Sequence, residues 1–234
     1  LTIAVTGSGS VSQAAQQFLH QLPCKYVDVE ELPSIWNKKV KDRHHIYVCV
    51  VRSKDMVENK DPSKPFSKKE YYSNPENFNA VYHKNVAPYI RVLMNGMYWE
   101  PRFPRLLTTA QARELQQQKN FPLLCLGDVT CDVGGSVEFF VKATTIQNPL
   151  YVYDVMQECD MDIQHFNGEG VIVLGVDHLP AEFPQEASKD FGDGLLPLLE
   201  KVANSDISAN LEQQQRVLGN ELFGSIVTHD GKLT

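Results

Sequence analysis

The chain has 234 residues, 42% hydrophobic and 22% charged, with a formal net charge of −7. This is the composition of a globular protein whose core is large enough to need no metal or disulfide staple. The acidic balance and the lack of a basic stripe exclude general nucleic-acid binding, and no apolar run reaches the roughly 20 residues of a membrane span.

Residues 2–6 (TIAVT) read as a buried strand. Residues 11–22 follow with apolar side chains at 11, 14, 15, 18, 19 and 22, one face of a helix that Pro23 stops. Residues 26–29 read as a second short strand with Asp28 near its end, and residues 45–51 (HIYVCVV) as a third. The polar stretch 52–79, with its lysines, Asp61-Pro62 and Asn74-Pro75, reads as a loop or surface excursion. A helix is expected over 80–90, interrupted near Pro88, then a strand over 92–99 and a helix over 108–118 with Thr108 or Thr109 as N-cap. Residues 123–129 and 171–176 read as the fifth and sixth strands, and 184–204 and 211–223 as helices. Strands alternating with helices point to an α/β fold with a mostly parallel sheet and C-terminal helices.

The junction of the first strand and first helix holds Gly7, Ser8, Gly9, Ser10, Val11 and Ser12. In a dinucleotide fingerprint the first glycine permits a tight turn, and the second lets the backbone approach a pyrophosphate. Ser12 takes the third place, where a small residue lets helix and strand pack. The order of strand, glycines, helix, strand and acid fits that motif; a plain Gly-rich turn is the alternative. Asp28, about 20 residues on, suits a ribose 2′-hydroxyl and so NAD. Lys38, Lys39 and Arg43 suit a 2′-phosphate, or are simply a solvated charged loop.

Asp128, Thr130 and Asp132 follow the fifth strand, where open α/β sheets bind ligands; a loop with helix-capping acids is the equal alternative. Gly134-Gly135-Ser136 adds flexible backbone beside them. Asp177-His178 ends the sixth strand as an acid–histidine pair without a partner nucleophile, and His44-His45 is read as structural. The five cysteines, Cys24, Cys49, Cys125, Cys131 and Cys159, form no Cys-x-x-Cys pair, so neither zinc nor disulfides are expected, and a reducing compartment is. Cys131 has no activating group legible in sequence. No signal-peptide pattern opens the chain. Leu1 leads straight into a strand, so a piece of a longer polypeptide is expected.

Five segments, VTGSGSVSQAAQQFLHQLP, MVENKDPSKPF, NGMYWEPRFPRLLT, GDVTCDVGGSVEFF and VDHLPAEFPQEASKDFGDGLLPLLE, together resemble the lysine–2-oxoglutarate reductase part of the bifunctional α-aminoadipic semialdehyde synthases. The second segment is closer to the plant version. Lysine-forming saccharopine dehydrogenases are more distant relatives, within the alanine dehydrogenase and transhydrogenase superfamily.

The resemblance implies two Rossmann-like, doubly wound domains with the active site between them. This chain matches the second: a cofactor domain over 1–180, then a helical segment over 181–234 that returns toward the first. It implies reductive condensation of lysine with 2-oxoglutarate to saccharopine, with NADPH as cofactor and NADH, suggested by Asp28, as the alternative. By resemblance, Gly7, Ser8, Gly9, Ser10 and Val11 hold the pyrophosphate and Asp28 lies near the adenosine ribose. Tyr98 and Val129 line the cofactor, while Val176, Asp177, His178 and Leu179 lie on the nicotinamide side. Thr130, Cys131 and Asp132 approach the substrate. The acid and base belong to the preceding domain, so no catalytic residue and no metal ligand is expected here, and the isolated chain is expected to turn over little. The implied partners are the three small molecules, a covalently linked N-terminal reductase domain and a C-terminal saccharopine dehydrogenase domain. The implied compartment is cytoplasm or mitochondrial matrix. A nucleotide-sensing or partner-docking module without its own chemistry is the alternative function.

Overall fold

The computed structural model describes residues 1–38, 44–206, 208–229 and 231–233, which divide into two units, Leu1–Asp177 and His178–Thr234. Lys39 and Arg43 lie outside the described residues.

In the first unit, β1 (Thr2–Thr6) leads into α1 (Ser10–Leu19) and β2 (Cys24–Val27), and α2 (Leu32–Trp36) precedes β3 (Ile46–Val51). Next come α3 (Ser53–Met56), β4 (Val57–Asn59), α4 (Lys68–Ser73), β5 (Phe78–Ala80), α5 (Tyr82–Asn85) and β6 (Val92–Asn95). The unit continues with α6 (Thr109–Gln117), β7 (Cys125–Asp128), β8 (Leu150–Asp154), β9 (Cys159–Asp162) and β10 (Val171–Leu174). Eight strands form one sheet in the order β2-β3-β1-β6-β7-β10-β8-β9. The first six are mutually parallel, and β8 and β9 extend the sheet antiparallel. This is a Rossmann-like, mostly parallel α/β sheet with flanking helices.

All five residues of β1 are buried, because the strand is covered on both faces. Its side chains alternate between two apolar clusters, as a period of two requires. Ile3 and Val5 pack with Val48 and with Leu19 of α1, and Ala4 packs with Cys49, Val51 and Leu93 on the other face.

Three expectations change. The stretch 52–79 is not a plain loop: it contains α3, α4 and β4, which pairs antiparallel with β5. Its polar sequence conceals a buried aromatic cluster in which the Tyr71 ring lies 5.3 Å from Phe78 and 5.1 Å from Phe103. The helix expected over 80–90 is one helical turn, α5, and a 3₁₀ turn, Ala87–Tyr89, since Pro88 lacks the amide that would continue it. The fourth strand stops at Asn95, short of Trp99. The antiparallel pair β8–β9 is an addition that periodicity did not mark. Thr108 caps α6 as expected: its Oγ1 accepts the Gln111 N–H at 3.1 Å and the Gln111 side chain accepts the Thr108 N–H at 3.0 Å.

The second unit holds a 3₁₀ turn (Leu179–Glu182), α7 (Pro184–Ala203), α8 (Leu211–Phe223) and a short pair, β11 (Thr228–His229) with β12 (Lys232–Leu233). Gly219, at φ +74°, breaks the regularity of α8.

Candidate cofactor site

The site starts where β1 ends. Gly7 has φ +87°, a region open to glycine and strained for other residues. Its N–H donates to the Val51 carbonyl at 2.9 Å, tying the turn to the end of β3. Gly9 is the N-cap of α1 at φ −80°, and a Cβ built there meets no protein atom within 4 Å. Packing therefore does not demand a glycine at position 9, and the backbone there is open to close approach. Ser12 is 1% exposed, a small side chain sealed between helix and sheet. A Cβ on Gly96 would fall 2.7 Å from Val11 Cγ1, so the turn also packs directly on the chain leaving β6.

Residues 7–11 line a cleft of about 490 Å³ together with Gly96, Met97, Tyr98, Lys68, Tyr71 and Phe103. The lining contains one cation, Lys68, and no carboxylate among the described residues. Exposed amides at a helix start, a positive side chain and no acid fit the pyrophosphate of a dinucleotide.

A second arrangement lies at the ends of β6 and β7. Asn95, fully buried, accepts from Thr6 Oγ1 at 2.9 Å. Its Nδ2 donates to Asp128 Oδ2 and to Ser136 Oγ, each at 2.9 Å. Thr130 donates to Asp128 Oδ1 from its N–H at 3.0 Å and its hydroxyl at 2.7 Å. Burial raises the Asp128 carboxyl above the usual carboxylate range, with the bonds from Thr130 and Asn95 opposing. This network holds the loop 129–136, which carries Val129 and Asp132 exposed at the same edge of the sheet. Arg105 supports that loop from beneath: its guanidinium donates to the Gly134 and Gly135 carbonyls and stacks 4.6 Å from the Trp99 ring centre. Cys131 sits at φ +53°, its thiol pushed up to about 11 by burial and by Asp128, Asp177 and Asp132, which favours the thiol over the thiolate.

The structure thus brings residues 7–11 and Tyr98 into one cleft. Asp28 lies elsewhere, in a neighbouring groove of about 340 Å³ shared with Arg52 and Lys54. Thr130, Cys131 and Asp132 share the loop after β7. Val176 is buried and bridges Thr144, with Asp177 exposed after it. His178 and Leu179 belong to the second unit. Sequence reading missed Asn95, Arg105, Lys68 and the aromatic wall, and took Ser136 only as flexible backbone, because only chain crossings bring them to the site. An asparagine ending an apolar strand before a glycine was the one local signal.

The sequence model of the alanine dehydrogenase/PNT C-terminal domain matches residues 104–234. The glycine turn precedes the matched segment, so its reading stands on its own geometry. The chain is 40% identical over 226 residues to an alpha-aminoadipic semialdehyde synthase of Arabidopsis thaliana, covering 91% of this chain and 21% of that protein. It is 34% identical to the mitochondrial alpha-aminoadipic semialdehyde synthase of Mus musculus, covering 100% and 26%. A Candida albicans saccharopine dehydrogenase [NAD(+), L-lysine-forming] is 28% identical over 120 residues, covering 50% and 28%. A solved L-alanine dehydrogenase superposes with a TM-score of 0.49 at 18% identity, covering 100% of this chain and 50% of that one. The chain spans about a quarter of the length of the curated relatives it matches. With more than half of its residues matched, the chain belongs to the alanine dehydrogenase/PNT C-terminal domain family.

Proposed function

We propose that the chain is the cofactor-binding part of a lysine–2-oxoglutarate reductase, an oxidoreductase that condenses lysine with 2-oxoglutarate to saccharopine. The acid-free cleft under the glycine turn carries the reading; the likeness to alpha-aminoadipic semialdehyde synthases over nearly the whole chain supports the substrate class. When bound, a nicotinamide cofactor, NADPH or NADH, supplies hydride to the imine of the lysine ε-amine and the 2-oxoglutarate ketone.

The chain's own part is positioning. The amides of residues 7–11 hold the pyrophosphate and Tyr98 and Val129 flank the cofactor. Val176 and Asp177 belong to the nicotinamide side. Thr130 and Asp132 face the substrate, their loop set by Asn95 and Asp128. The acid and base are assigned to a linked reductase domain, and a saccharopine dehydrogenase domain is the expected further partner. No described helix is long and apolar enough to cross a membrane. The compartment proposed is the mitochondrial matrix, in line with the mitochondrial relatives, or the cytoplasm.

The test is titration of the chain with NADPH and NADH, followed by nicotinamide fluorescence. Saturable binding of at least one is expected, without saccharopine formation by the chain alone; binding of neither overturns the reading. In the complete enzyme, Asp132→Ala is expected to cut kcat or raise the substrate KM by at least about tenfold, and unchanged kinetics would favour a nucleotide-sensing module.

A further inference from the structure

In the strand order of this sheet, β3 and not β2 is the neighbour of β1. Val51, the last residue of β3, pairs with Thr6, and its carbonyl receives the Gly7 N–H at 2.9 Å. Arg52 is therefore the first residue beyond the strand beside the glycine turn. Asp28 follows β2, whose last residue, Val27, pairs with Cys49. It lies level with Val50 and one strand further out. With strands about 4.8 Å apart, Arg52 stands one spacing from the turn and Asp28 two, roughly 10 Å.

The adenosine ribose of a dinucleotide lies over the strand next to β1, where an acid takes the 2′-hydroxyl and an arginine the 2′-phosphate. Here that place holds Arg52-Ser53-Lys54. Arg52 is exposed, and Ser53 lines the glycine cleft while Arg52 and Lys54 line the adjoining groove, so the three residues stand where the two meet. The groove also contains acids, but two are turned to their own backbone. The Asp55 carboxylate, 9% exposed, accepts the Arg52 N–H at 2.8 Å and lies 3.8 Å from Lys54 Nζ. The Glu31 carboxylate accepts the Asp28 N–H at 2.9 Å. Asp28 and Glu30 are exposed beyond the end of β2, Asp28 as the N-cap of the 3₁₀ turn Val29–Glu31.

We infer that Arg52, with Ser53 and Lys54 beside it, reads the ribose substituent and selects a 2′-phosphorylated dinucleotide, and that Asp28 is not a cofactor ligand. The inference rests on the cofactor reading above and deepens it. A planar guanidinium offers a phosphate paired, charge-assisted hydrogen bonds that a 2′-hydroxyl cannot match.

The experiment is calorimetric titration of the chain and its variants with NADPH and NADH, with competition by 2′-AMP and 5′-AMP. NADPH is expected to bind on the order of 10- to 100-fold tighter than NADH. Arg52→Ala is expected to remove most of that preference while NADH affinity moves less than about threefold, and Arg52→Lys to keep part of it. Asp28→Ala is expected to leave both affinities within about threefold. Thermal melts of the variants check that each is folded. Equal or stronger binding of NADH by the parent chain, an equal loss of both cofactors in Arg52→Ala, or a selective loss of NADH in Asp28→Ala each overturns the assignment and leaves the cofactor reading standing. Binding of neither cofactor overturns both.

Discussion

Two neighbouring parts of one sheet edge are built by opposite means. The glycine turn after β1 is made by leaving side chains out: Gly7 takes a left-handed φ, and Gly9 leaves open space that no protein atom fills. The ends of β6 and β7 are made by putting polar side chains in, with Asn95, Asp128 and Ser136 all buried and Asn95 donating to the other two. The first is an open surface. The second is a closed network whose cost of opening fixes the loop that carries Asp132. A change at Gly9 is expected to touch dinucleotide binding and spare stability, and a change in the buried network to cost stability first.

Asn95→Leu is the most damaging way to break that contrast. It strips partners from Asp128, Ser136 and Thr6 together, and is expected to cost about 3 kcal/mol or more, read as a lower urea midpoint. A loss under about 1 kcal/mol would mean the network is not closed. Asp128→Asn removes an acceptor and can set an amide donor against Asn95 Nδ2, for an expected cost of about 2 kcal/mol.

Gly9→Ser tests the other side. Serine is a good N-cap and its Cβ meets nothing, so stability is expected to hold within about 0.5 kcal/mol while dinucleotide affinity falls about tenfold. Equal affinity in calorimetry would show that nothing approaches that backbone closely.

The smallest expected effect is a pH slope. The raised Asp128 carboxyl means that the folded chain holds this proton more tightly than the unfolded chain. The stabilisation is full below the ordinary carboxylate range and is lost as pH rises through the raised value. The gap in urea midpoint between the parent chain and Asp128→Asn is expected to narrow from about pH 4 to about pH 7. A constant gap would assign the proton elsewhere.

What could be read in the sequence follows from range. The β1 strand, the α1 helix and the turn between them are set by neighbours within a few residues: an apolar run, two glycines, a helical period and Pro23. The capping of α6 by Thr108 is local for the same reason. The excursion over 52–79 misled because its buried residues, Met56, Val57, Tyr71 and Phe78, are spread thinly among polar ones and meet only through packing.

By itself the sequence determined that there is an α/β sheet with an open glycine turn at its first strand, since alternation, period and glycine freedom are properties of short segments. Tertiary structure decided which strand lies beside β1. Hydrogen-bond pairing between strands joins residues more than 40 positions apart, such as Thr6 with Val51, and no local pattern records the choice. That choice moved Asp28 outward to an edge strand and brought Arg52 to the glycine turn, while the also long-range pairing of β6 with β7 closed Asn95 onto Asp128.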